Sequence, residues 1–220
     1  MGRNKLLRFE QNIQSRNLIE HGKEWYTTIK GKWRNEFFKN KNPIILELAC
    51  GRGELTVTFA KHYPDKNFIG VDLKGARLWK GSQTAIEEGL TNAGFLRTSI
   101  QYMEEFFEPG EVNEIYIMFP DPQPLEFQEK YRLTSEKFLD MYKKLMIPGG
   151  LVHLKTDNAP LHHYTSEMVK KYGGKIIFET TSFYESEMKD SHFGVRTKYE
   201  DFFTSKGEVV HYIIFRLEPI

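Results

Sequence analysis

The chain has 220 residues, 40% of them hydrophobic and 28% charged, with one cysteine and a formal net charge of +1. That profile fits a globular protein with a substantial core. It excludes an intrachain disulfide and a cysteine-held metal cluster, and no apolar run is long enough for a membrane span.

The opening MGRNKLLRFE lacks an apolar secretory core, so a reducing, cytoplasmic setting is expected. The near-neutral total hides an asymmetry. Residues 1–41 hold ten Lys/Arg and four Asp/Glu, a balance of +6, and the remainder carries −5. A basic arm on a mildly acidic body suits a polyanion contact, and equally a solvated leader. Trp25, Tyr26, Trp33, Phe37 and Phe38 predict that this leader, residues 1–42, packs in part on the body formed by 43–220.

PIILELACGRGE reads as a buried strand running into a glycine turn. LTVTFAKHY follows with helical spacing, Leu55, Phe59 and Tyr63 recurring at steps of four. NFIGVDL is a second strand ending at Asp72, and ARLWKGSQTAIEEGL a helix stopped by Gly89. FLRTSI and EIYIMFP are the third and fourth strands. SEKFLDMYKKLM is an amphipathic helix closed by Pro148 and Gly149-Gly150. LVHLKTD is the fifth strand, and APLHHYTSEMVKKYG a helix ended by Gly173-Gly174. KIIFETTSF and EVVHYIIFRL close the chain as two strands with no obvious helix between them. Alternating strands and helices predict an α/β fold with a mostly parallel sheet, and the last pair an antiparallel member near one edge.

Open α/β sheets bind ligands beyond the carboxyl ends of their strands. The polar residues there are Glu47, Asp72, Asp121 and Asp157. Gly51 and Gly53 occupy the first strand-to-helix turn, where a missing Cβ lets the backbone approach a ligand. Asp72 follows Gly51 by 21 residues, an offset at which an acid can accept from a ribose diol. The loop E-L-A-C-G-R-G-E is neither a dinucleotide fingerprint nor a phosphate loop. Its acid and glycine spacing resembles the first motif of S-adenosylmethionine-dependent methyltransferases, with Ala49 in place of the first glycine. An acidic loop suits a cationic donor and would repel a pyrophosphate. In MFPDPQP, prolines force the chain out of the sheet and stiffen the segment bearing Asp121.

LELACGRGE, NFIGVDLKGARLWKG, EIYIMFPDP, RLTSEKFLDMYKKL, PGGLVHLKTDN and TKYEDFFTSKG together resemble the bacterial tRNA guanine-N7 methyltransferase family, TrmB. The resemblance runs in order from about Ile44 to Leu217 and implies a class I methyltransferase, Rossmann-like fold. That is a seven-stranded sheet with its last strand antiparallel and helices on both faces. It implies methyl transfer from S-adenosylmethionine to N7 of a tRNA guanine in the variable loop. Glu47, Gly51, Gly53 and Asp72 match cofactor-binding positions. Ser99 stands where many members have a cofactor-contacting Asp or Asn. Asp121 matches the Asp-Pro carboxylate beside cofactor and substrate and is the expected catalytic residue. Asp157 and the stretch Thr197, Lys198, Tyr199 and Glu200 match substrate-binding positions, and no metal is implied. The family shows Trp and a basic run after Asp-Pro. Here Gln123, Leu125, Glu126 and Glu129 intervene, leaving Lys130 and Arg132 as bases for substrate contact. Residues 121–144 hold five acids and five bases, so fewer phosphate contacts are expected unless the leader compensates.

Guanine N7 is an acceptor with an exposed lone pair, so the implied reaction needs positioning more than a strong base. Other readings stay open: the same fold acting on another base or a small molecule, or a non-catalytic RNA- or partner-binding subunit. The chain is expected to be a monomer or homodimer. Cys50 reads as a small buried turn residue, Met118, Met141 and Met146 as core, and His162-His163 as helix surface.

Overall fold

The computed structural model describes residues 3–195, 200 and 209–217. The leader forms helix α1 (Arg3–Gln14), a two-residue strand β1 (Leu18–Ile19) and helix α2 (Trp25–Thr28). The body then alternates β2 (Ile44–Leu48), α3 (Glu54–His62), β3 (Asn67–Asp72), α4 (Gly75–Glu87), β4 (Ala93–Arg97) and β5 (Val112–Met118). It continues with α5 (Glu136–Leu145), β6 (Met146–Thr156), α6 (Ala159–Lys171), β7 (Lys175–Thr180) and β8 (His211–Arg216).

All strands join one sheet in the order β1-β4-β3-β2-β5-β6-β8-β7. Pairings from β1 through β6 are parallel, and β8 runs antiparallel to both β6 and β7. The expected architecture with its reversed last strand is present, with eight strands where seven were expected. The eighth is β1, whose Leu18 and Ile19 pair with Phe95 and Leu96. Two residues flanked by polar neighbours give no strand periodicity, which is why the sequence does not announce it.

β2 is buried along its whole length, as a central parallel strand covered on both faces must be. Ile44, Leu46 and Leu48 enter the core cluster on one face, Ile45 the cluster on the other. The leader contributes to both. Leu18 joins the second cluster, while Ile19, Ile29 and Trp33 join the first, and Trp33 is 0% exposed. Its indole N–H donates to Phe106 O at 2.8 Å and its ring stacks on Phe107.

Two local expectations are corrected. α5 ends at Leu145, and Pro148-Gly149-Gly150 fall inside β6, where the pairing with β5 shifts register between Val112 and Glu114. Proline and glycine therefore mark a bulge there, and not a helix stop. His162 is buried, its ring stacked on His211 of β8. Its own helix gave an amphipathic pattern too weak to show which face the sheet would cover. Met118, Met141, Met146 and Cys50 are buried as expected.

Candidate active site

The parallel register brings the carboxyl ends of β3, β2, β5 and β6 side by side. Leu48 pairs with Val71 and Ile117, and Met118 with Lys155. Glu47, Asp72, Asp121 and Asp157 follow along this one edge, and Ser99 lies just past β4.

The turn after β2 is built by unusual backbone angles. Ala49, Gly51 and Gly53 have φ of 56°, 59° and 70°. A Cβ on Gly51 would meet nothing within 4 Å, so the turn is open at that point. A Cβ on Gly53 would come within 2.5 Å of the Phe95 ring, so that position requires glycine for packing as well. Ala49 stands at the first glycine position of the motif and accepts left-handed strain there. Phe119 and Gln123, on either side of Asp121, also have positive φ, 50° and 48°. Three of the five described non-glycine residues in this region of backbone space thus flank the same edge, as strain does at working sites.

The acids are held individually. Asp72 is buried, and its two oxygens accept from Gly51 N–H at 3.0 Å and Lys74 N–H at 2.7 Å. Glu47 is buried, with Oε2 accepting from Thr56 N–H at 2.8 Å and from the Thr56 hydroxyl. Burial pushes the Glu47 carboxyl up to about 8, against the pull of the two Thr56 hydrogen bonds. Burial likewise pushes the neighbouring Cys50 thiol well up, which makes it a poor nucleophile. Among the described residues no cation pairs with the buried Glu47, and an acid so placed beside an open glycine turn fits a cationic ligand better than an anionic one.

Asp121 is exposed at the start of a stiff strap. Its Oδ1 accepts from Gln123 N–H at 3.2 Å. The strap is clasped to α6. Arg132 Nε donates to Gln123 O at 3.1 Å while its guanidinium lies over the Tyr164 ring, and the Tyr164 hydroxyl donates to Glu129 at 3.0 Å. Arg132 is thereby half-buried in a structural clasp, whereas Lys130 is exposed above Tyr131. Asp157 is half-buried at the end of β6, next to Asn158, whose side chain caps α6 by accepting from Leu161 N–H at 2.8 Å.

Glu200 is buried against the sheet, its Oε1 2.5 Å from Lys155 Nζ, and it also accepts from the Tyr184 hydroxyl. Thr197, Lys198 and Tyr199 lie outside the described residues. Lys155 borders a cavity of about 180 Å³ lined also by Phe183, Tyr184, Lys189, Asp190 and His192. Behind it, His192 and His153 both approach the Tyr212 hydroxyl, at 3.3 and 2.8 Å. Burial lowers these imidazoles to about 2 and about 3, so both are neutral. Sequence reading missed Lys155, Tyr184 and Thr56. The signal available for Lys155 was a lysine inside the otherwise buried run LVHLKT.

Among the described residues, no grouping of three His, Cys, Asp or Glu side chains could hold a metal, and no helix is long and apolar enough to cross a membrane.

A doubly covered parallel sheet with a reversed final strand, an open glycine turn after its central strand and carboxylates along one edge define a class I methyltransferase fold. The 16S rRNA methyltransferase KamB superimposes with a TM-score of 0.66 at 15% identity, covering 84% of this chain and 92% of that one. A 16S rRNA (adenine(1408)-N(1))-methyltransferase from Catenulisporales acidiphilia, a point mutant with cosubstrate SAM, gives 0.56 at 11% identity, covering 86% and 92%. A family model described as "Putative methyltransferase" matches residues 41–213. Proteins named tRNA (guanine-N(7)-)-methyltransferase are similar over most of the chain. That of Cytophaga hutchinsonii is 46% identical over all of both chains, and that of Bacteroides fragilis 42% identical over 99% of this chain and 87% of its own. That of Geobacillus kaustophilus is 35% identical over 84% and 83%. The chain belongs to the tRNA (guanine-N(7)-)-methyltransferase family.

Proposed function

We propose that this protein transfers a methyl group from S-adenosylmethionine to N7 of a guanine in tRNA. The observation that carries the reading is the row of acids along the carboxyl edge, in a chain similar end to end to proteins named for that reaction. When bound, adenosylmethionine supplies an electrophilic methyl on a sulfonium centre. Glu47, Asp72 and the open backbone at Gly51 hold it, with Ser99 beside them. Their acidity complements a cation, and a cation beside the buried Glu47 favours loss of its proton.

The substrate side follows from the chemistry of guanine. N7 carries no proton to remove, so no strong general base is required. Guanine N1 and its exocyclic amine present donors, and Asp121, Asp157 and Glu200 are matching acceptors. The strap holds Asp121 with little entropy left to lose, so the base is oriented before methyl transfer. The product base is cationic, and the same carboxylates stabilise the charge as it develops. Lys130 and the exposed bases of the leader contact phosphate, with Thr197 to Tyr199 completing the substrate side. Arg132 contributes by keeping the strap in place.

The test is transfer of a radiolabelled methyl group onto bulk tRNA, followed by nucleoside analysis. Label in 7-methylguanosine is the expected result. Label in another base or in a small molecule, or binding without transfer, would overturn the reading.

A further inference from the structure

One lysine links the two halves of the substrate side. Lys155 stands at the penultimate position of β6, with a side chain 2% exposed. Its backbone carbonyl accepts from Phe119 N–H at 2.8 Å, two residues before Asp121. Its ammonium reaches the other way. Nζ lies 2.5 Å from Glu200 Oε1, whose side chain is also 2% exposed, and 3.5 Å from His192 Nδ1. It sits 3.9 Å from the Phe183 ring centroid, with the Tyr184 and Phe119 rings further off at 5.4 and 5.9 Å. Tyr184 donates its hydroxyl to the same Glu200 oxygen.

A charged pair so deeply buried needs good geometry and further hydrogen bonds to offset desolvation, and well-packed apolar residues could often replace it without loss of stability. Stability therefore does not explain why it is ionic. A site that must keep one carboxylate aimed does explain it. An ammonium only donates, so Glu200 meets it as an acceptor, and a carboxylate can accept at both oxygens. The Phe183, Tyr184 and Phe119 rings flank the ammonium and favour its charged form.

We propose that Lys155 is a positioning residue for methyl transfer, holding the Glu200 carboxylate jointly with Tyr184 so that it accepts from the guanine edge. This rests on the function proposed above. Lys155→Met removes the charge and keeps the packing volume and the backbone link to Phe119. Expected is a fall of roughly 10–100-fold in kcat/KM for tRNA, as for other residues that orient a site group, with adenosylmethionine affinity by calorimetry unchanged. Lys155→Arg restores part of the loss. In a Glu200→Gln background, Lys155→Met costs little more, because the group it positions is already impaired. Tyr184→Phe lowers kcat/KM by about fivefold, and decides the matter where Lys155→Met does not fold.

Four results overturn the inference. Wild-type protein that fails to form 7-methylguanosine removes the proposed function and this role with it. Active wild type with Lys155→Met at wild-type kcat/KM removes this role alone. An equal loss in the Glu200→Gln background shows that Lys155 acts elsewhere. A Tyr184→Phe variant at wild-type kcat/KM, where Lys155→Met does not fold, shows that Glu200 is not held in this way.

Discussion

Asp72 and Glu200 are both buried acids at the same edge of the sheet, yet they are secured by different means. Asp72 grips its own surroundings, taking backbone N–H groups from the turn beside it and from the residue two further along the chain. Glu200 is gripped by side chains on remote elements, Lys155 at the end of β6 and Tyr184 in the connection after β7. The first arrangement ties folding to the cofactor side, because the acid that would meet the ligand also closes the loop. The second rests on side chains that meet only once β6 and the connection after β7 have come together.

The contrast gives predictions of graded size. The largest concerns the strap, whose acid makes one local hydrogen bond to Gln123 and is otherwise exposed. Asp121→Asn is expected to lower turnover roughly 10²–10³-fold, with the melting temperature and adenosylmethionine affinity unchanged. Unchanged turnover would remove Asp121 from the mechanism. On the local side the loss falls elsewhere. Asp72→Ala frees two N–H groups that a charged acceptor had satisfied, an interaction of about 1.5–3 kcal/mol. Calorimetry should show adenosylmethionine binding weakened by at least about tenfold, and melting should fall as well. A variant that melts like wild type would erase the distinction between the two acids.

Glu47 supplies a pH signature. Its carboxyl is raised from 4.5 to about 8, so the folded state keeps its proton after the unfolded chain has lost it. Its contribution is full below about pH 4.5 and is lost as pH rises through about 8, at up to about 1.4 kcal/mol per pH unit. Urea titrations of unliganded wild type and Glu47→Gln across this range should diverge with that sign, the variant lacking the decline. Parallel curves would mean that Glu47 is ionised throughout. The smallest effect is at Ala49. Glycine there relieves left-handed strain and gives back part of the gain as unfolded-state entropy, a net stabilisation of under about 1 kcal/mol. A destabilised Ala49→Gly would show that the methyl group has a packing role.

What could be read from the sequence follows the same division. Periodicity and turn residues disclosed the alternating elements, and the spacing from Gly51 to Asp72 disclosed an acid that meets the turn in space, because both facts are written within one β-α-β unit. The Lys155–Glu200 pair was hidden, since the resemblance marks Glu200 as a substrate-binding position and nothing local connects it to a strand lysine. Burial of His162 was hidden for the same reason, its partner His211 lying on the last strand. Arg132 read as a base for substrate contact in the run that the family shows after Asp-Pro, and only the structure shows its guanidinium resting on Tyr164.

The short pairing of Leu18 and Ile19 with β4 has a practical corollary. Cutting the chain at Pro43, where similarity to the family model roughly begins, would uncover a flank of β4 whose amides and carbonyls are ready to recruit another molecule's backbone. It would also vacate the space filled by the Trp33 indole. A shortened version made for crystallography or assay is therefore expected to precipitate, and work on this enzyme is best done with its amino-terminal forty residues in place.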